Sequence, residues 1–312
     1  MSERVIVVTG ATGLLGTQLL PALSDSGKVV PLGHSTAPAQ GRRIDLTDGA
    51  ATRALLDELR PEVVLHAAAM TDIDACERDP VAGCRLNVEA TRTIADWALQ
   101  CRPELQLVYI STDQVYDKPG GSREDEIAPL NIYSFTKLWA EDLVRRLPRH
   151  LILRTNFFGP GNGRRPSFVD WTVASCRARR PITLFTDVFF NPLHADHLSA
   201  AIGELLERGV TGTYNLGASG GGLSKGDFIR AVAAALDLST DGCRDGRLCD
   251  VPLAARRPHD MRMKLEAAER ALGRSLPSLD EGIALLAARW HAMADSSPVA
   301  EGSRLNPLGQ HS

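Results

Sequence analysis

Val5-Ile-Val-Val-Thr9-Gly10-Ala-Thr-Gly13-Leu-Leu-Gly16 decides the fold. Its first half is a short run of β-branched apolar residues, the composition of a buried strand, and a helical pattern begins at Leu14. Between them glycine recurs at every third position. Glycine lets a strand-to-helix turn close tightly and lets backbone N–H groups approach an anion, which the N-terminus of the following helix also favours. A glycine-rich turn with a strand before it and a helix after it is the setting of a dinucleotide pyrophosphate site. A tight turn without a ligand is the competing reading. The stretch puts Gly10, Thr12, Gly13, Leu14 and Leu15 beside a cofactor.

The same alternation runs on through the first half of the chain. Apolar runs at 29–32, 63–66, 105–110 and 151–153 are separated by helical patterns near 50–59, 80–100 and 131–147. Short strands alternating with helices predict a parallel sheet with right-handed crossovers, covered on both faces. The fold class is therefore α/β, a Rossmann-type doubly wound parallel sheet with a smaller interleaved C-terminal substrate lobe. After Gly159-Pro-Gly-Asn-Gly163 the pattern changes to isolated helices near 168–177, 196–208 and 225–236, with short strands such as 213–215. Residues 1–160 and about 188–217 are assigned to dinucleotide binding and about 161–187 and 218–294 to the lobe, while 295–312 read as a disordered tail. Ser224 and Asp227 form a capping box ahead of the third of these helices.

Sites that bind NAD through such a turn carry an acidic residue about 20 positions later, which accepts from the ribose 2'-hydroxyl. Here no carboxylate lies between Asp25 and Asp45, the second strand runs into Gly33-His34-Ser35-Thr36, and Arg42 and Arg43 follow in a loop. Donors in place of an acid favour a 2'-phosphate, hence NADP(H) rather than NAD(H), with His34, Ser35 and Arg42 or Arg43 as contacts. Two arginines on a solvated loop are the alternative. Asp45, followed by Leu46, is placed to accept from the adenine amino group, and the small side chains of Ala67, Ala68 and Ala69 let a flat ring lie close to the backbone. His66 reads as a packed strand residue.

Tyr133-Ser-Phe-Thr-Lys137 supplies the proton-handling half of a carbonyl reduction. Four positions apart on a helix, the two side chains share a face. A free phenol, with a pKa of about 10, is a poor acid near neutral pH, and an adjacent cation is expected to pull that value down. Ser111-Thr112-Asp113 closes the preceding apolar run at the end where open α/β sheets bind ligands, so Thr112 can donate to a substrate carbonyl. An amphipathic helix with a half-buried tyrosine is the competing reading. Thr112, Tyr133 and Lys137 in this order form a donor, an acid and a tuner of its pKa.

The Gly10/Gly13/Gly16 turn, Asp45-Leu46, Ala67-Ala68, Ser111 to Asp113, Tyr133 with Lys137, Arg154-Thr155 and Arg257-Pro258 together resemble the extended short-chain dehydrogenase/reductase family, in its dTDP-4-dehydrorhamnose reductase-like branch, over roughly residues 4–290. The resemblance implies NADPH-dependent reduction of the 4-keto group of a nucleotide-linked 6-deoxyhexose in deoxysugar biosynthesis. It implies that Thr112 and Tyr133 hold the keto oxygen and that Lys137 also binds the nicotinamide ribose. Tyr133, Ser111 and Asn87 then stand on the cofactor side, Asn87 supporting the proton path, while Asp113, Gln114, Asn156, Phe157 and the diphosphate-binding Arg257 face the substrate. Two departures bear on the substrate. Gln114 stands where related 4,6-dehydratases carry a catalytic glutamate, which disfavours dehydration, and Asn156-Phe157 replaces a segment where rhamnose reductases often have tryptophan. An epimerase or epimerase-reductase on the same substrate class is the first alternative. A non-catalytic NADP-binding regulatory subunit resembling the methionine adenosyltransferase β-subunit is the second.

Bulk properties bound the partners. A net charge of −3 over 312 residues, with basic residues spread along the chain, argues against nucleic acid or an anionic membrane as partner and for a small solute. The six cysteines form no C-x-x-C pair or zinc-type spacing, which suits reduced thiols and no metal. No stretch reaches about 18 uninterrupted apolar residues, and Met1-Ser-Glu-Arg4 leads straight into a strand without a leader pattern, so a soluble cytoplasmic protein is expected, for which a homodimer is one open assembly.

Overall fold

The computed structural model describes residues 4–164 and 166–294. The expected tail at 295–312 lies outside them. In chain order the first half comprises β1 (Val5–Thr9), α1 (Leu14–Ala22), β2 (Lys28–Gly33), β3 (Arg42–Arg43), α2 (Gly49–Leu59), β4 (Val63–His66), α3 (Ile73–Arg78), α4 (Pro80–Cys84), α5 (Ala90–Cys101), β5 (Gln106–Thr112), α6 (Ile132–Val144) and β6 (His150–Thr155). Then come β7 (Phe157–Phe158), α7 (Phe168–Arg177), β8 (Ile182–Phe185), β9 (Phe189–Phe190), β10 (Leu193–His194), α8 (Ala195–Glu207), β11 (Gly212–Leu216), β12 (Leu223–Ser224), α9 (Lys225–Ala235), β13 (Cys243–Gly246), α10 (Glu266–Leu272) and α11 (Leu279–Ala294).

Seven strands form one sheet in the order β11-β6-β5-β4-β1-β2-β3, every neighbouring pair parallel. The registers bring the carboxyl ends into line, with Thr9 opposite Leu32 and His66, His66 opposite Tyr109, and Thr155 opposite Thr112 and Leu216. After β1 the chain first builds outward to β2 and β3, then crosses back to β4 on the other side. Such a switch point opens a crevice at the carboxyl edge between β1 and β4.

Both faces of the sheet are buried, which is why its strands read as unbroken apolar runs. Ile6, Val8, Leu65 and Leu153 join a large cluster that continues into the C-terminal residues Phe228, Leu276 and Leu286, while Val7, Val64, Leu107 and Ile152 pack on the other face with Ile94 and Trp97 of α5. Among the described residues, no helix is long and apolar enough to cross a membrane.

Two differences from the sequence reading have local causes. The helix expected at 80–100 is present as a continuous helical stretch from Pro80 to Cys101, but a separate helix, α3, precedes it, because Asp72 and Asp79 each accept from a backbone N–H three residues on, at 2.8 and 3.0 Å, and start the two independently. Residues 85–89 then form a wide helical turn before α5. Arg42 and Arg43, expected in a loop, form the edge strand β3 by pairing with Leu32 and Gly33.

Candidate active site

The glycine turn is held backbone to backbone. Gly10 has φ +67°, and a Cβ there would lie 2.8 Å from the Ala68 nitrogen; one on Gly16 would lie 2.2 Å from the Gly10 carbonyl oxygen. Any side chain would push α1 off the turn or the turn off the end of β4. The N-terminus of α1 has neither a side-chain cap nor an acidic residue in its first turn, so its N–H groups face the crevice unmet by an anion of the chain's own.

A cleft of about 1300 Å³ follows the carboxyl edge of the sheet. The predicted cofactor positions Gly10, Thr12, Gly13, Leu14 and Leu15 line it, as do His34, Ser35, Asp45 and Leu46 farther along and Ala67, Ala68 and Ala69 after β4. Asp45 reaches back to within 3.9 Å of His34, so one carboxylate does border this end. Ser111, Thr112, Tyr133, Lys137, Asn156 and Phe157 line the opposite end.

Other expected site residues stand elsewhere. Neither Arg42 nor Arg43 lines the cleft: Arg42 pairs with Glu58 at 2.7 Å on the surface, and Arg43 donates to the His34 carbonyl at 3.1 Å. Among the described residues, the cation that lines this end is Arg164, which donates to the Thr36 hydroxyl; no motif in the sequence marks it. Asn87 also lies outside the cleft. Its amide donates to the Met70 carbonyl at 3.2 Å and the Thr136 hydroxyl at 3.0 Å and accepts from the Met70 nitrogen at 2.8 Å, so it ties the segment after β4 to α6 rather than touching a ligand. Ser111 turns its hydroxyl away, to Glu141 at 2.6 Å.

Tyr133 and Lys137 stand on α6, whose start is fixed by a capping box between Asn131 and Ser134. The Lys137 ammonium donates to the Ile110 carbonyl at 2.7 Å and sits 4.1 Å from the centre of the Tyr109 ring. Burial pushes its pKa down to about 7, against the pull of Glu141. Burial likewise drives the Tyr133 phenol above its usual value, a hydrogen bond with Thr112 opposing the shift. The direction expected from a tyrosine beside a lysine is thus reversed: desolvation is the largest influence on the phenol and favours its protonated form. Asp113 is buried behind Thr112, accepts from the Asn156 amide at 2.8 Å, and is raised to about 6 by burial, with that hydrogen bond and the charge of Lys225 opposing.

Behind α6 lies a buried ion pair. Arg154 on β6 donates to both carboxylate oxygens of Glu141, at 3.0 and 2.7 Å, and also to the Tyr116 hydroxyl at 2.8 Å, which in turn donates to Asn215 on β11 at 2.7 Å. Glu141 lies one helical turn beyond Lys137, so this network sets the rotation of α6 against the sheet. The sequence signals it only through the quoted Arg154 and the spacing from Lys137. His66 is packed between the Thr9 and Thr91 hydroxyls, at 2.7 and 3.1 Å.

Gln114 and Arg257 stand apart from the main cleft, on a side cavity that shares Phe168 and Lys225 with it. Arg257 is already engaged, by Asp74 at 3.0 Å and the Ala255 carbonyl at 3.0 Å. Expected to project into the cleft of Tyr133, it instead anchors its own loop to α3.

A family model described as the RmlD substrate binding domain matches residues 4–291. The chain belongs to this family. It is 32% identical to the probable low-salt glycan biosynthesis reductase Agl14 of Haloferax volcanii, over 91% of this chain and 97% of that protein. It is 28% identical to dTDP-4-dehydrorhamnose reductase of Escherichia coli, over 89% and 95%. The structure of dTDP-4-dehydrorhamnose reductase from Bacillus anthracis in complex with NADP superposes with a TM-score of 0.82 at 27% identity, covering 93% of this chain and all of that one. UDP-glucose 4-epimerase of Thermotoga maritima, at 18% identity and a TM-score of 0.79, shares the fold.

Proposed function

We propose that the chain reduces the 4-keto group of a nucleotide-linked 6-deoxyhexose with NADPH. The observation that carries this reading is the placement of Thr112, Tyr133 and Lys137 on the same cleft as the glycine turn. The residues present fit a dinucleotide: a cradle that a Cβ would fill and an uncapped helix N-terminus stand where a pyrophosphate needs them. Gly10, Gly13 and the start of α1 would hold the pyrophosphate, Asp45 and Leu46 the adenine, and Ala67 to Ala69 the flat face of the cofactor. The 2'-phosphate of NADP(H) is assigned to Ser35, Thr36 and Arg164 in place of the expected arginines, in keeping with the NADP of the Bacillus anthracis relative.

When bound, NADPH supplies the hydride. The Thr112 hydroxyl donates to the ketone oxygen and polarises it, and Tyr133 holds the proton that this oxygen takes up as it gains negative charge. A phenol kept neutral by burial suits that direction, since reduction needs a proton donor. Lys137 anchors to the Ile110 carbonyl and presents its remaining N–H groups to the ribose. Gln114 cannot remove a proton from C5, so dehydration is not assigned. In this division of labour residues 1–160 and 188–217 hold the cofactor, and 161–187 and 218–294 hold the sugar nucleotide, in the cytoplasm. The test is loss of NADPH absorbance on a dTDP-4-keto-6-deoxyhexose made in situ by a dehydratase, with the product alcohol identified by NMR. NADPH loss no faster than without sugar would refute the reading.

A further inference from the structure

The side cavity has a volume of about 80 Å³, room for a substituent and not for a nucleotide. Its wall is largely apolar, with Val188, Ile229 and Leu253 in it. Two of its side chains carry a buried polar atom that has no hydrogen-bond partner among the described residues: the Gln114 carbonyl oxygen and the Trp171 indole nitrogen. Gln114 is 1% exposed and Trp171 7%. The Gln114 amide nitrogen is already used, on the Met261 sulfur at 2.7 Å, so the end of the amide left over is the acceptor. Buried polar atoms are almost always paired, and an acceptor and a donor left unpaired in one small wall are complementary to a group able to give and to receive.

We propose that this cavity is a compartment for one ring hydroxyl of the sugar substrate, which donates to Gln114 Oε1 and accepts from Trp171 Nε1–H. The proposal rests on the reductase reading above. Gln114 is two residues from Thr112, so the compartment lies next to the reacting ketone. Competing groups fit worse. A phosphate oxygen has no proton for Gln114 and would come close to the buried Asp113, whereas a methyl group would leave both polar atoms unpaired. Lys225 lines both cavities, with its ammonium 5.7 Å from the centre of the Phe190 ring, and supplies no acceptor where they meet.

The test compares kcat/KM on two nucleotide-linked 4-ketohexoses that differ by a single ring hydroxyl, for each hydroxyl in turn. The wild type should prefer one hydroxylated sugar over its deoxy analogue by about 100-fold, the size expected when buried partners are stranded. Trp171→Phe keeps the ring and removes the donor, and Gln114→Met keeps the length and removes the acceptor. Each should cut that preference to about 10-fold by slowing only the hydroxylated substrate, whereas a merely structural role would slow both sugars alike. Equal kcat/KM for all pairs in the wild type, or an undiminished preference in both variants, overturns the compartment. If the wild type reduces no nucleotide-linked ketosugar at all, the reductase reading fails. Calorimetric binding of hydroxylated and deoxy nucleotide sugars then decides the compartment, and equal affinities sink it.

Discussion

Replacing Glu141 by Gln should cost more stability than any comparable surface change. The Glu141 side chain is fully buried and that of Arg154 is 2% exposed, so little solvent screens the pair. Burial alone would raise the Glu141 carboxyl, but the hydrogen bonds and charge of Arg154, with the Ser111 hydroxyl and Arg145, hold it below the usual range. Removing one partner of a buried pair leaves the other charge uncompensated, which costs about 3–5 kcal/mol. That is a large part of the roughly 5–15 kcal/mol of a typical domain. Urea unfolding followed by circular dichroism measures the loss. The double variant Glu141→Gln with Arg154→Met should recover much of it, because no buried charge is then stranded. The pH dependence has a definite sign: a carboxylate depressed in the fold contributes stability above its unfolded pKa of about 4.5 and loses it as pH falls through the folded value, so Glu141→Gln should flatten the acid limb. A loss under about 1 kcal/mol in the single variant, or a double variant as unstable as the single, would refute the reasoning.

Tyr133→Phe should slow reduction by about 10²- to 10⁴-fold and leave NADPH affinity near native, and turnover within a few-fold of wild type would remove Tyr133 from the mechanism. Lys137 is depressed to about 7 from 10.5, so the folded state sheds its proton first and wild type should gain stability relative to Lys137→Met as pH rises between those values; parallel stability curves for the two would contradict that. Arg164→Ala should narrow the preference for NADPH over NADH in direct titration, whereas Arg42→Ala should not, and the opposite pattern would return the 2'-phosphate to β3. Gly16→Ala, whose new Cβ would meet the Gly10 carbonyl, should weaken binding of both nucleotides, and native affinity would show that α1 can move away.

The strands of the sheet were legible because burial on both faces makes each a short apolar run; the run at 63–66 coincides with β4. The separate helix α3 and the widened turn inside the helix from Pro80 to Cys101 were not, since they depend on two aspartates acting as caps and on a local turn that lets Asn87 reach Met70. Position along the chain told which residues gather at the carboxyl edge, but not how deeply each is buried, and depth decided the sign of the shift at Tyr133. Arg42 and Arg43 misled for a related reason. Two adjacent arginines look available in a sequence, yet pairing with β2 and with Glu58 commits them elsewhere, while Arg164 arrives at the cleft from more than a hundred residues away.

The order of the sheet has a bearing on how the protein is made. β6 occupies an inner position only because β11, some sixty residues later in the chain, pairs along its outer side. Until the ribosome has released that segment, His150-Leu-Ile-Leu-Arg-Thr155 is an open parallel edge with three apolar residues at its middle, the kind of edge that recruits other chains. The fold therefore passes through a stage of exposed stickiness late in synthesis, and substitutions that weaken β11 should lower soluble yield even where they leave the finished enzyme unharmed.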